Sequence, residues 1–524
     1  MEAWVSFPVR FTSILFERPA DATEQAETSF FADLNLDQVF TAVVAGLDEY
    51  DLAPFFRIPL HSERAVAYRH DVLRDLEHEA VSGAVAAFAE QMREMRRHLA
   101  RAGKLRYRYQ KEHWFLDAAS IYCDAMSTLA DALAATELHS RGLIAFREYL
   151  VAYTRSRTFT DLVADIKRVA GALAAARYCV NVRGGRVRVT RFNDEADYGA
   201  EVVQTFAKFA RGAVKDYRVA FRSTVDMNHL EERILGLVAR LYPDEFGALD
   251  DFCVRHAGYL DDTIRLFDRE IQFYVAYLKF TAPMKAAGLE FCYPAVSTAS
   301  KEVSATAAFD LALASKLMPQ ATKIVRNDFH LTGPERIFVV TGPNQGGKTT
   351  FARMFGQLHY LAVLGYQVPG RQARLFLPDQ VFTHFETEED LATLRGKFED
   401  ELIRIRSVLE QATEDSVVVM NESFASTTLQ DAASTGERVL DRMTRLGLLG
   451  VYVTFVDELA SLNAACVSMV GTVLPDNPAE RTYKVLRRPA DGRSYAVSIA
   501  EKYGLTYERL KDRIPPEATE GDRP

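Results

Sequence analysis

Thr341–Thr350 reads TGPNQGGKTT, and its segment Gly342-Pro-Asn-Gln-Gly-Gly347-Lys348-Thr349 satisfies the spacing Gly-x-x-x-x-Gly-Lys-Ser/Thr in full. The stretch follows an apolar run, Ile337–Thr341 (IFVVT), and opens a helical pattern over Thr350–Leu364. Strand, loop and helix thus stand in the order that a phosphate-cradling loop requires. Glycines let backbone N–H groups turn inward around phosphate oxygens, and the helix N-terminus adds its positive end. Lys348 would reach the β- and γ-phosphates of ATP, and Thr349 would ligate Mg²⁺. The expected nucleotide contacts are Gly342, Pro343, Asn344, Gln345, Gly346, Gly347, Lys348, Thr349 and Thr350. The plain alternative is a chance glycine-rich turn between a strand and a helix.

A hydrolytic site of this kind also needs an acidic strand end. Val417–Met420 (VVVM) is followed by Asn421-Glu422. Glu422 is placed to polarise the attacking water. Asn421 stands where a carboxylate usually holds the Mg²⁺ hydration shell. An amide accepts a hydrogen bond from a metal-bound water but brings no charge, so metal affinity should fall. Otherwise the pair merely ends a core strand. With Gly450–Phe455 (GVYVTF), these short apolar runs between helical segments predict buried parallel strands in an α/β sheet from about Glu290 onward.

Before that point, from about Phe30 to Leu289, the text is mainly helical. Long patterns run through Val81–Ala100, Trp114–Ala135, Leu143–Ala176, Ala200–Leu241 and Phe246–Met284, and between Pro59 and Pro294 only Pro243 and Pro283 occur. That scarcity favours long uninterrupted helices. One segment breaks the pattern: Tyr178–Phe192, YCVNVRGGRVRVTRF, alternates around Gly184-Gly185 and predicts a β-hairpin. The expected organisation is a variable segment over 1–30, a mainly helical region over 31–300, an α/β P-loop ATPase domain over 301–514 and a disordered polar tail over 515–524.

The chain has 524 residues, 48% hydrophobic and 26% charged, with a net charge of −9. It therefore has no general attraction for a polyanion, and nucleic-acid contacts would need local basic patches. Five scattered cysteines without zinc-like spacing read as reduced core thiols. No stretch approaches the roughly 18 apolar residues of a membrane span, and the start lacks a signal-peptide pattern. The expectation is a cytoplasmic protein without membrane contact.

The segment TGPNQGGKTT resembles the signature of the MutS family, which is more specific than a bare phosphate loop because of its Pro-Asn step. Leu364–Pro369 (LGYQVP), Asp379–Leu391 (DQVFTHFETEEDL), the Phe-x-x-Glu of Phe398–Glu401, Ser416–Glu422 and Ser494–Leu505 (SYAVSIAEKYGL) are similar to further family segments, so the likeness covers roughly residues 325–512. It implies an ABC-type ATPase that binds ATP and Mg²⁺, forms a homodimer through the ATPase domains and closes a helical lever/clamp region, residues 31–300, around duplex or branched DNA. Four departures matter. The family's metal-holding aspartate is Asn421, the serine aimed at the partner's nucleotide falls on Gly396, the Gly-Arg-Gly-Thr after the glutamate is Phe424-Ala425-Ser426-Thr427, and the histidine ending the next strand falls on Phe455. They leave nucleotide binding intact and weaken the case for rapid hydrolysis. The expectation is that the mismatch-reading domain has no counterpart here, and that Phe146-Arg147-Glu148 fits its Phe-x-Glu motif by coincidence inside a helix.

Two basic stretches could meet phosphates. Between Arg93 and Lys111 eight basic residues, including Arg106 and Arg108, face Glu94 alone, with Tyr107 and Tyr109 interleaved. The hairpin carries Arg183, Arg186, Arg188 and Arg191 around its Gly-Gly tip, where it would grip duplex backbone without reading bases. Either stretch could equally be a solvated surface. The overall expectation is a slow ATPase and DNA-binding clamp of the repair or recombination type. The alternative is a non-hydrolysing nucleotide-binding protein that assembles with protein partners.

Overall fold

The computed structural model describes residues 11–18, 29–193, 227–320, 323–386, 396–424, 426–474, 477–490 and 510. Contacts divide the chain into two units. One comprises Met1–Phe11, Asp75–His139 and Leu143–Asp268, the other Thr12–Arg74, Ser140–Gly142 and Arg269–Pro524.

The first unit is helical. Val81, Val85, Phe88, Met92 and Met95 recur at intervals of three, four and seven along the helix Glu79–Lys104, and they are buried where it packs along Arg108–Ala134. The single helix expected over Leu143–Ala176 is instead two, Arg141–Thr154 and Arg157–Ala175. Ser156 makes the break: its Oγ accepts the Phe159 N–H at 3.2 Å, satisfying a donor that the new helix would otherwise leave unpaired. Phe246–Met284 also divides, into Pro243–Arg255 and Asp262–Ala286. Pro243 opens the first of these, a position where its missing N–H is harmless. Of the pattern expected over Ala200–Leu241, residues 200–226 lie outside the described residues. The remainder forms His229–Leu241, started by a reciprocal capping box of Asn228 and Glu231.

The hairpin forms as expected. β1 (Tyr178–Arg183) pairs antiparallel with β2 (Arg186–Arg191), and Gly184 and Gly185 take φ of +56° and +74°, the left-handed pair that a two-residue turn of this hand demands. Val189 packs toward Val238 and Phe246. Phe146 is fully buried and stacked on Phe267 at 3.4 Å between centroids, so the Phe of Phe146-Arg147-Glu148 is a core side chain and not a DNA wedge.

The second unit is built on mixed sheets. β3 (Phe291–Cys292) precedes β4 (Ala295–Ser297), β5 (Val303–Ala308) and β6 (Asn327–Leu331), and then comes β7 (Ile337–Thr341). β8 (Val368–Pro369), β9 (Gln372–Phe376), β10 (Val381–Phe385), β11 (Val417–Asn421), β12 (Leu449–Val453), β13 (Cys466–Leu474) and β14 (Asn477–Arg487) follow. The large sheet has the order β10-β11-β12-β7-β13-β14, parallel throughout except for the antiparallel edge strand β14. Every residue of β7, β11 and β12 is buried, which explains their unbroken apolar text. The strand expected at Gly450–Phe455 runs over Leu449–Val453, leaving Phe455 beyond its end and 44% exposed. A second sheet, β4-β9-β5-β6, was not expected, because β5 (VSATAA) consists of small residues without an apolar run. No described helix is long and apolar enough to cross a membrane.

Candidate functional site

β7 feeds the loop 342–347, which feeds the helix Lys348–Val363. Gly342 has φ of +117°, and a Cβ there would stand 2.8 Å from the Gly471 carbonyl oxygen on β13, so the loop can lie flat on the sheet only with glycine. Gly347 caps the helix at φ +92°. Both positions exclude an ordinary side chain.

Lys348 is buried at the first helical position. Its Nζ donates to the carbonyls of Gly342 (3.1 Å) and Pro343 (3.3 Å) and to Asn344 Oδ1 (3.2 Å). Glu422 Oε1 stands 3.7 Å from the same Nζ. Burial lowers the lysine's pKa from its ordinary value, and the Glu422 carboxylate opposes that shift. Glu422 follows β11 at φ +53°, with its N–H donating to Val453 O on β12 at 3.0 Å. Asn421 is buried, and among the described residues its Oδ1 has no hydrogen-bond partner.

A cavity of about 440 Å³ opens beside these groups. The segment Gln345–Thr350 and Glu422 form its polar side, and Leu313, Leu317, Val325 and Tyr483 contribute apolar surface. Tyr483 sits at φ +58°, and its carbonyl accepts from Asn327 Nδ2 at 3.4 Å. Asn327 in turn accepts the Val485 N–H at 2.8 Å, which ties β6 to β14 next to the loop. Sequence reading singled out none of Leu313, Asn327 or Tyr483, since each reaches the site by tertiary pairing and sits in no local motif. Gly396 caps the helix Lys397–Gln411, and neither it nor Phe455 lines the cavity. The rest of the segment before Gly396, and Ser494–Leu505, lie outside the described residues.

Residues 338–512 match MutS domain V. Over that segment the chain is similar to MutS proteins. It is 31% identical over 185 residues to a DNA mismatch repair protein MutS of a Thermotoga species, which covers 34% of this chain and 23% of that protein. It is also 31% identical over 196 residues to an Endonuclease MutS2 of Thermus thermophilus, covering 37% of this chain and 26% of the relative. The chain thus spans about a quarter of the length of these MutS relatives.

The basic stretches fare unequally. Arg93 pairs with Glu90, Arg97 with Glu94 and Glu90, Arg96 with Asp268, and Arg108 with Glu112 and Asp250. Four of the eight bases counted in Arg93–Lys111 are therefore paired, and Glu90, Glu112, Asp250 and Asp268 among their partners lie outside that window. Arg101 lies over the Trp114 ring, while Arg106 is exposed. On the hairpin, Arg191 Nε donates to Leu241 O at 3.0 Å and its guanidinium lies over Tyr242. Arg183, Arg186 and Arg188 are exposed, and the strand register puts them on one face with Asn181, opposite the face that carries Val189.

Proposed function

We propose that this chain is a MutS-like, ATP-binding clamp protein whose P-loop, ABC-type domain binds ATP with Mg²⁺ and hydrolyses it slowly. Its ATPase domains pair in a homodimer, and its helical arms hold duplex or branched DNA by backbone contacts. The observation that carries this reading is the facing of Lys348 and Glu422 at 3.7 Å on the wall of a cavity floored by the glycine-rich loop. Lys348 now spends its three donors on the loop's own oxygens, and these are the donors that phosphate oxygens would take over. Glu422 accepts a proton from the attacking water.

The residues suit a weakly held Mg²⁺. Thr349 offers a hydroxyl, and the unpartnered Asn421 Oδ1 offers an acceptor for a metal-bound water. Among the described residues no cluster of three or more His, Cys, Asp or Glu side chains could hold a metal by itself. When bound, Mg²⁺ supplies charge neutralisation at the β- and γ-phosphates. Asn421 brings no charge to that task, which supports binding that outlasts hydrolysis.

DNA is the substrate class suggested by the names of the MutS relatives and by the three-arginine face of the hairpin. The second reading, assembly with protein partners, gains support from the ion pairs that absorb Arg93, Arg96, Arg97 and Arg108. A gel shift with plain duplex at low and high salt, with and without ATP, separates the two. Salt-sensitive, ATP-dependent retention fits the clamp. No shift at low salt under either condition leaves the partner reading.

A further inference from the structure

Glu422 is useful only if its carboxylate is held in place, and the backbone around it is unusual. Glu422 and Phe424 both adopt left-handed φ, +53° and +66°, conformations that β-carbon-bearing residues hold only when their surroundings impose them. Ser423, between them, is buried, and its Oγ lies 3.2 Å from His384 Nδ1 on the neighbouring strand β10. The other restraint comes from the helix Lys397–Gln411. Phe398 and Glu401 lie three positions apart and so share one face of that helix. Both meet Phe424: the Phe398 ring packs edge-on at 5.9 Å between centroids, and Glu401 Oε2 accepts the Phe424 N–H at 3.1 Å. The same carboxylate lies 3.5 Å from Ser426 Oγ.

Glu401 is fully buried. A charged side chain removed from water is expensive unless its interactions are good, and an apolar residue of similar size is usually the more stable choice. This buried carboxylate holds the Phe424 N–H and reaches Ser426 Oγ, two and four residues beyond Glu422, and so ties the turn after β11 to the helix Lys397–Gln411.

We propose that Glu401 is a positioning residue for hydrolysis: it fixes the turn after β11 so that Glu422 presents its carboxylate to the water while the phosphate-binding loop is left untouched. This rests on the reading of Glu422 as the water-polarising group. Glu401 does not line the cavity, so its effect should fall on turnover and spare nucleotide affinity. Shifts of about 1 Å in a catalytic group lower rates by about a hundredfold.

The test compares Glu401→Gln, which keeps an acceptor for the Phe424 N–H, with Glu401→Met and Glu401→Leu, which fill the site without one. Single-turnover ATP hydrolysis and calorimetric ATP affinity are measured on each full-length chain beside Glu422→Gln. Two apolar variants guard against a folding failure of either. Expected are a drop of about ten- to a hundredfold in hydrolysis rate for Met and Leu with ATP affinity within about twofold of wild type, and recovery to within about threefold for Gln. Unchanged rates in Met and Leu overturn the proposal if Glu422→Gln is inactive, as does a loss of affinity in step with rate. If Glu422→Gln itself hydrolyses normally, the reading of Glu422 fails first.

Discussion

The hairpin separates arginines that can meet phosphate from one that cannot. Arg191 is committed to Leu241 O and Tyr242, whereas Arg183, Arg186 and Arg188 share an exposed face without partners among the described residues. Arg183 and Arg186 are directly paired across the strands, where like charges repel until an anion lies between them. Replacing Arg183, Arg186 and Arg188 together with Ala should therefore leave the fold intact. If each neutralises one phosphate, the slope of log K against log salt should flatten by about 2.7, so that a fourfold rise in salt weakens the wild type about 40-fold more than the variant. Fluorescence anisotropy with a labelled duplex across a salt series measures this directly. Arg191→Ala should keep the wild-type slope. A triple variant with an unchanged slope, or an Arg191→Ala slope as flat as the triple variant's, would refute the assignment.

Asn421→Asp restores a charge where the unpartnered amide oxygen now sits, and should raise the ATPase rate several-fold at limiting Mg²⁺; an unchanged rate would place the limitation at Gly396 or Phe455. Glu270 is buried against Ser13 and the Ile14 N–H, and burial pushes its pKa from 4.5 up to about 7. Arg69, with Tyr68 and Tyr274, faces the same carboxyl, and the arginine only partly offsets the shift. The folded state thus keeps a proton that the unfolded chain releases near pH 4.5. The corresponding stability, about 3 kcal/mol, is present below that pH and lost as pH rises toward 7. Glu270→Gln should accordingly lose less thermal stability than wild type between pH 5 and pH 8, and parallel losses would contradict the placement.

The glycine-rich loop and the hairpin were legible because each is written in contiguous residues whose backbone demands only a few residue types can meet. The parallel strands were legible because burial on both faces leaves an unbroken apolar run. Helix breaks at Ser156 and between Arg255 and Asp262 were not, since the apolar period carries across them and only a cap or a turn marks the boundary. The ion pairs of Arg93–Lys111 were hidden for a related reason: Asp268 and Asp250, which pair with Arg96 and Arg108, lie far along the chain. The Phe-x-x-Glu of Phe398–Glu401 was visible as a likeness, but its contact with Phe424 is a fact of packing that no local pattern encodes.

The central claim is that the loop 342–347 and Lys348 bind the phosphates of ATP. Calorimetric titration of ATP with Mg²⁺ into wild type and Lys348→Ala tests it most directly, because Lys348 is the lysine that the loop holds at the cavity wall. Binding in the wild type, weakened about tenfold or more in Lys348→Ala, is the predicted result. Equal affinity in the two proteins would contradict it.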